Sequence, residues 1–158
     1  MSDSYTIELT EDLDILWHFL SQPGFLDSAA DDHTATMLRA AGKISKISPS
    51  ATLLLSRRGE TPVAIWAFTE RNQICAEGHV VMLPAVRHAD RDLIFRMMLD
   101  WVWFHTPCER LICEIPAYNW LAVQRVKRQG FTEFGRNPNA WLKHGKRWDL
   151  VCLGISKP

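Results

Sequence analysis

Polar and apolar positions alternate at both ends of this chain and fall at helical spacing between them. Residues 4–9 set Tyr5, Ile7 and Leu9 against polar neighbours, which predicts a half-buried strand. Thr10 then suits a helix N-cap, with Glu11 and Asp12 in the first turn. Leu13, Leu16, Trp17 and Leu20 recur at helical spacing, and Pro23-Gly24 stops that helix. A second helix is predicted over residues 27–41, closed by Gly42, with a thin apolar face (Met37, Leu38, Ala40, Ala41), and residues 43–50 read as a loop. Three strands follow at residues 51–56, 62–69 and 74–83. Their connections are too short for a crossover, so this part is an antiparallel meander.

Residues 84–90 form a loop leading into a helix over residues 91–104, apolar over most of its circumference and therefore predicted to be buried. Its polar positions Asp92, Arg96 and Asp100 are spaced by four. Thr106-Pro107 ends it, and the strand at residues 110–115 must run parallel to the one before, because a whole helix intervenes. Asn119 suits an N-cap for a helix to Gln129, with Gly130 as its stop. Residues 131–136 form a strand, and residues 140–142 and 148–155 form a last hairpin around Lys143-His144-Gly145-Lys146. The element order β α α β β β α β α β β predicts an α+β sandwich: one mixed, mostly antiparallel sheet with a central β-α-β crossover.

At 158 residues the chain is expected to form one domain. Its net charge of zero offers no electrostatic case for binding nucleic acid or an anionic membrane. The polar, acidic N-terminus does not read as a signal peptide, and no apolar run approaches a membrane span. Cys75, Cys108, Cys113 and Cys152 lack C-x-x-C spacing and read as reduced core cysteines of a cytoplasmic protein. A metal site from His105, Cys108 and Cys113 competes poorly with the alternation that makes Cys113 a sheet residue, so no metal is expected.

Four stretches, in order, resemble the GNAT superfamily of N-acetyltransferases. Leu83-Pro84-Ala85-Val86-Arg87 is similar to the strand end and arginine that open the family's acetyl-CoA loop. Residues 115–122 resemble its proline-to-asparagine helix entry, residues 127–135 its Gly-Phe helix exit, and residues 145–153 its closing hairpin. The wording of residues 101–116 most resembles GNAT-like proteins of tailed bacteriophages. The resemblance implies the acyl-CoA N-acyltransferase (GNAT) fold and transfer of an acetyl group from acetyl-CoA to an amine of a small molecule or protein. It also implies host cytoplasm and a host protein partner if the chain is phage-encoded.

Carried onto this sequence, the resemblance implies cofactor contacts from Val81, Met82 and Leu83 to pantetheine, from Arg87, His88, Ala89, Asp90, Arg91 and Asp92 to pyrophosphate, and from Asn119. Direct attack by an amine needs a proton acceptor. Glu77 and His79 have same-face strand spacing and are the candidates. Two departures stand out. The loop at residues 87–92 has no glycine, and Val126 occupies the place of the family's tyrosine acid, leaving Tyr118 as a substitute. These departures motivate an alternative: a GNAT-fold protein without catalysis that binds another protein. Of seven tryptophans, Trp101, Trp103 and Trp120 are expected to pack helices. Trp17, Trp66, Trp141 and Trp148 are expected to fall on elements lining the acceptor side, and Asp149 to make a structural hydrogen bond at the hairpin.

Overall fold

A computed structural model describes residues 4–158; the first three residues of the polar N-terminus lie outside it. Seven strands form one sheet in the order β1-β2-β3-β4-β5-β7-β6, where β1 is Tyr5–Thr10, β2 Ala51–Arg58, β3 Thr61–Asn72, β4 Cys75–Met82, β5 Arg110–Pro116, β6 Thr132–Lys143 and β7 Lys146–Ser156. Only β4 and β5 pair in parallel, across the crossover helix α4 (His88–His105). Among the described residues no helix is long and apolar enough to cross a membrane.

Strand alternation assigns the two faces. Leu54, Trp66, Phe68, Ala76, Leu111, Val151 and Leu153 pack with α4 residues Ile94, Phe95, Met98, Val102 and Trp103, and with Val123 and Val126 of α5 (Trp120–Arg128). The opposite face packs Leu53, Leu55, Ile65, Ala67 and Val81 against Leu16 and Phe19 of α1 (Leu13–Leu20). A small separate cluster of Leu26, Ala30 and Ala35 holds α2 (Phe25–Ala29) and α3 (Asp32–Ala41) together.

Several expectations are corrected. Asp12, not Thr10, caps α1: its carboxylate accepts from the Asp14 and Ile15 amides, while Thr10 stays in β1 paired with Leu53. The single helix expected over residues 27–41 is two, because Ala30 is extended and Asp31 caps a fresh start by accepting from Thr34. Helix α4 begins at His88, so three residues expected in the loop form its first turn. It is not buried around most of its circumference: Ile94, Phe95, Met98, Leu99, Val102 and Trp103 make one buried stripe, while Leu93 and Phe104 face solvent. The strands expected at residues 131–136 and 140–142 are one long strand, β6. It carries two register shifts, one of them around Asn139, which has a positive φ and whose backbone N–H donates to Asp149 Oδ1 at 3.0 Å.

Trp66 is not on the acceptor side. It is buried on the α4 face, edge-on to Phe95, and its indole N–H donates to Ser56 Oγ at 2.9 Å. Trp120 does not pack between helices either; it is 63% exposed beside exposed Leu121. The expected cap at Asn119 is observed, accepting from Ala122 N.

The β6–β7 turn at His144-Gly145, both at positive φ, holds the α2–α3 segment. Asp32 accepts both turn amides, at 3.0 and 3.1 Å, and buried Lys143 donates to Ala30 O at 2.9 Å. The helices α1–α3 therefore reach from the β2–β4 face to the tip of the last hairpin.

Candidate active site

The site is built where the two parallel strands part. Their pairing covers Cys75↔Arg110, Ala76↔Leu111 and Glu77↔Ile112 and then stops. β4 continues to Met82 paired only with β3, and β5 continues to Pro116 paired only with β7. Residues 78–82 and 113–116 thus line a gap in the sheet whose facing backbone groups have no partner strand. A ligand with amide groups can satisfy such edges, as an added strand would. Gly78 sits at the start of the gap, where a Cβ would come within 3.1 Å of the Phe68 ring.

On the α4 side the chain turns from Leu83 through Pro84 to Val86 and enters α4 at His88. No residue from 83 to 92 has a positive φ, so this turn does not need glycine's extra freedom, and its absence costs no strain. Arg91 fixes the turn from within, donating to Val86 O at 2.7 Å and Pro84 O at 2.9 Å. Arg87 and Asp90 pair with each other at 2.8 Å, and Asp90 also accepts from Tyr5 Oη at 2.9 Å. These partners hold the Asp90 carboxyl below its usual range, Arg87 foremost.

Beside that turn is a solvent-open cavity of about 140 Å³ lined by His88, Ala89, Arg91, Asp92, Arg125 and Arg128. The His88 and Ala89 amides precede the first backbone bonds of α4, which run from Asp90 and Arg91 to Arg87 O, so its N-terminal end favours anions. The one carboxylate there, Asp92, is engaged by Gln129 Nε2. Neither Arg125 nor Arg128 forms a salt bridge among the described residues. Burial, then the neighbouring charges of Arg91 and Arg128, push the Arg125 pKa down. Three guanidinium groups with one occupied carboxylate make a cradle that fits a phosphate-bearing ligand. Arg125 and Arg128 were invisible as site residues in the sequence, where basic residues late in a helix read as complements to its dipole. Their spacing of three, on a helix whose first turn follows β5, was the available signal.

On the other face, Ala76 points to α4 and Val81 to α1, so alternation puts Glu77 and His79 together on the α1 side. Glu77 is buried, and its two oxygens are divided: Oε1 lies 3.1 Å from His79 Nε2 and Oε2 accepts from Arg71. The His79 hydrogen bond, followed by that of Arg71, outweighs burial and holds the Glu77 carboxyl at about 2. His79 itself is mostly exposed. Glu114 and Cys152 lie on the same face in register with each other. Burial pushes the Cys113 thiol up to about 12, which leaves no thiolate for nucleophilic work.

Further along this face, Tyr118 packs edge-on against Trp148 at 5.1 Å and accepts from Trp141 Nε1 at 3.2 Å; burial raises its phenol pKa. Lys146 Nζ sits 4.0 Å from the centroid of Trp148. Trp17 stays half-buried on α1. The expected pair Glu77 and His79 is therefore assembled, whereas Tyr118 belongs to a separate aromatic group. Of the candidate phosphate contacts, His88, Ala89, Arg91 and Asp92 share the cavity, while Arg87 and Asp90 neutralise each other beside it. Among the described residues no cluster of three His, Cys, Asp or Glu side chains could hold a metal ion. A second cavity, about 40 Å³ and lined by Cys75, Trp101 and Thr106 among others, lies at the far end of β4 and carries none of these groups.

The Glu77 pairing has a measurable consequence. Its folded pKa lies below the unfolded value near 4.5, so its contribution to stability is complete above that pH and is lost as pH falls towards 2. At neutral pH, Glu77→Gln should cost on the order of 2–3 kcal/mol. The gap between wild type and variant in urea titrations should close between pH 5 and pH 2; a gap independent of pH would refute the ionised pairing.

No family model matches the sequence, and no curated protein matches it either. Solved structures do match. A candidate phosphinothricin N-acetyltransferase superposes with a TM-score of 0.73 at 20% identity, covering 98% of this chain and 99% of that one. The spermidine N-acetyltransferase of Vibrio cholerae, in complex with CoA and spermine, superposes with a TM-score of 0.72 at 16% identity, covering 96% and 95%. The chain has the fold of these GNAT-type N-acetyltransferases, a seven-stranded mixed sheet opened between its two parallel strands.

Proposed function

We propose that this protein is an acetyl-CoA-dependent N-acetyltransferase acting on an amine. The observation that carries the reading is the junction of three features: a gap in the sheet, a cationic cavity at its α4 end, and a histidine–carboxylate pair on the opposite face beside it. The likeness to N-acetyltransferases, one of them bound to CoA, supports it.

Backbone groups of Val81, Met82 and Leu83 would hold the pantetheine chain along the free edge of β4. The His88 and Ala89 amides with Arg125 and Arg128 would hold the phosphates. Acetyl-CoA, when bound, supplies a thioester open to attack by an amine. The acceptor amine must first lose a proton, and Glu77, ionised and engaged by both Arg71 and His79, is a poor base. His79 takes that role. Its Nε2 faces Glu77 Oε1 at 3.1 Å, so Nδ1 is left to accept the proton, and the buried carboxylate stabilises the imidazolium that forms. Tyr118, Trp141 and Trp148 give the acceptor side an aromatic wall.

Binding is the direct test. At a hundredfold excess over Kd, a ligand selective for the native state adds about 2.7 kcal/mol, which for a chain of this size raises Tm by about 5–10 °C. Differential scanning fluorimetry with acetyl-CoA, followed by thiol release with a panel of primary amines, should show both the shift and turnover. No shift at millimolar acetyl-CoA would sink the proposal.

A further inference from the structure

We infer that Arg71 is a positioning residue for proton transfer: it clamps Glu77 and thereby sets the orientation and basicity of His79. The inference rests on the proposed role of His79 as base. Arg71 lies near the end of β3, and its guanidinium reaches across to Glu77 Oε2 while His79 takes Oε1. Glu77 is 9% exposed at its side chain, whereas Arg71 and His79 are more than half exposed. The carboxylate is thus a buried hinge between two exposed basic side chains, a permanently charged guanidinium and an imidazole.

Each partner has a distinct effect on the other. An ionised Glu77 favours imidazolium at His79; the permanent charge of Arg71 on the same carboxylate offsets part of that preference. Arg71 and His79 thus compete for the charge of one carboxylate. Arg71 also fixes which carboxylate oxygen faces His79, and with it the ring nitrogen left free. The other groups around the clamp do not replace it. Glu114 on β5 and Cys75 on β4 interact electrostatically with Arg71, Cys113 and Cys152 sense Glu77, and both of these thiols are pushed towards their neutral forms. The α1 residues packed on this face, Leu13, Ile15, Leu16, Phe19 and Leu20, carry no charge.

The test follows the His79 imidazole directly. Proton NMR titration of the histidine C–H signals, assigned with His79→Gln, should show the His79 pKa rising by about half a unit or more in Arg71→Met. Arg71→Lys should restore most of the wild-type value. The acid limb of kcat/KM for acetyl transfer should move up by the same amount, with activity recovering as the pH is raised. An unmoved His79 signal in a folded Arg71→Met variant would overturn the inference. A moved signal with an unmoved kinetic limb would leave the Arg71 coupling standing and remove His79 as the base. The NMR arm does not depend on turnover, so a failure of acetyl transfer itself is read separately.

Discussion

Replacing both Arg125 and Arg128 with glutamate should weaken acetyl-CoA binding by about a hundredfold or more, while the protein remains folded. The two side chains rise from the solvent-facing side of α5, half-buried and exposed respectively, and neither supports the core, which α5 contacts through Val123 and Val126. Charge-assisted hydrogen bonds contribute about 1.5–3 kcal/mol each. Two such contacts, discounted for solvent exposure, come to roughly 3 kcal/mol, or two decades in Kd. Glutamate adds repulsion to the loss. Wild-type binding should weaken with added salt and the variant's should respond less, because the screened attraction is gone. Isothermal titration calorimetry at two ionic strengths measures both. Arg87→Ala is the informative contrast: Arg87 is already paired with Asp90, so its loss should change Kd by no more than about threefold. If Arg87→Ala costs more than the double variant, the phosphates lie at the loop and not in the α4–α5 cavity.

That contrast marks the boundary of what the sequence could convey. Local chemistry was legible where one residue decides it. Asn119 caps α5, Gly130 ends it at φ 97°, and His144-Gly145 makes the tight turn of the last hairpin. The parallel relation of β4 and β5 followed from a helix-length connection, and with it the possibility of a gap. Competition between adjacent signals was not legible. Thr10 and Asp12 can both cap a helix, and pairing of Thr10 with Leu53 decides between them. Face assignment also needed the partner strands: the pattern of β3 separates Trp66 and Phe68 from Ile65 and Ala67 but does not say which set meets α4. The glycine-free loop suggested a loss of function because side chains there can keep the backbone amides from closing on a pyrophosphate. No left-handed backbone is required, since none of residues 83–92 has a positive φ. Arg71 could not be found from spacing at all, since its pairing with Glu77 depends on charges brought near by the fold.

The second large effect concerns His79. Removing it as His79→Ala should lower kcat by about 10²–10³-fold, the usual range for a positioned general base, with Kd for acetyl-CoA unchanged. The side chain is mostly exposed and makes no core contact, so stability should fall little beyond the loss of its bond to Glu77. In the wild type, kcat/KM should fall below the pKa of His79 and of the acceptor amine. In His79→Ala the limb belonging to the imidazole should vanish, and the residual rate should rise with pH as free amine accumulates. Glu77→Gln should behave differently: the imidazole remains, but it loses the carboxylate that favours its charged form and fixes its ring. A smaller loss, about tenfold, is expected, with the acid limb moved to lower pH. If Glu77→Gln instead matches or exceeds His79→Ala in kcat and abolishes the limb, the carboxylate is the proton acceptor after all. The salt bridge to Arg71 would then have to open during each turnover.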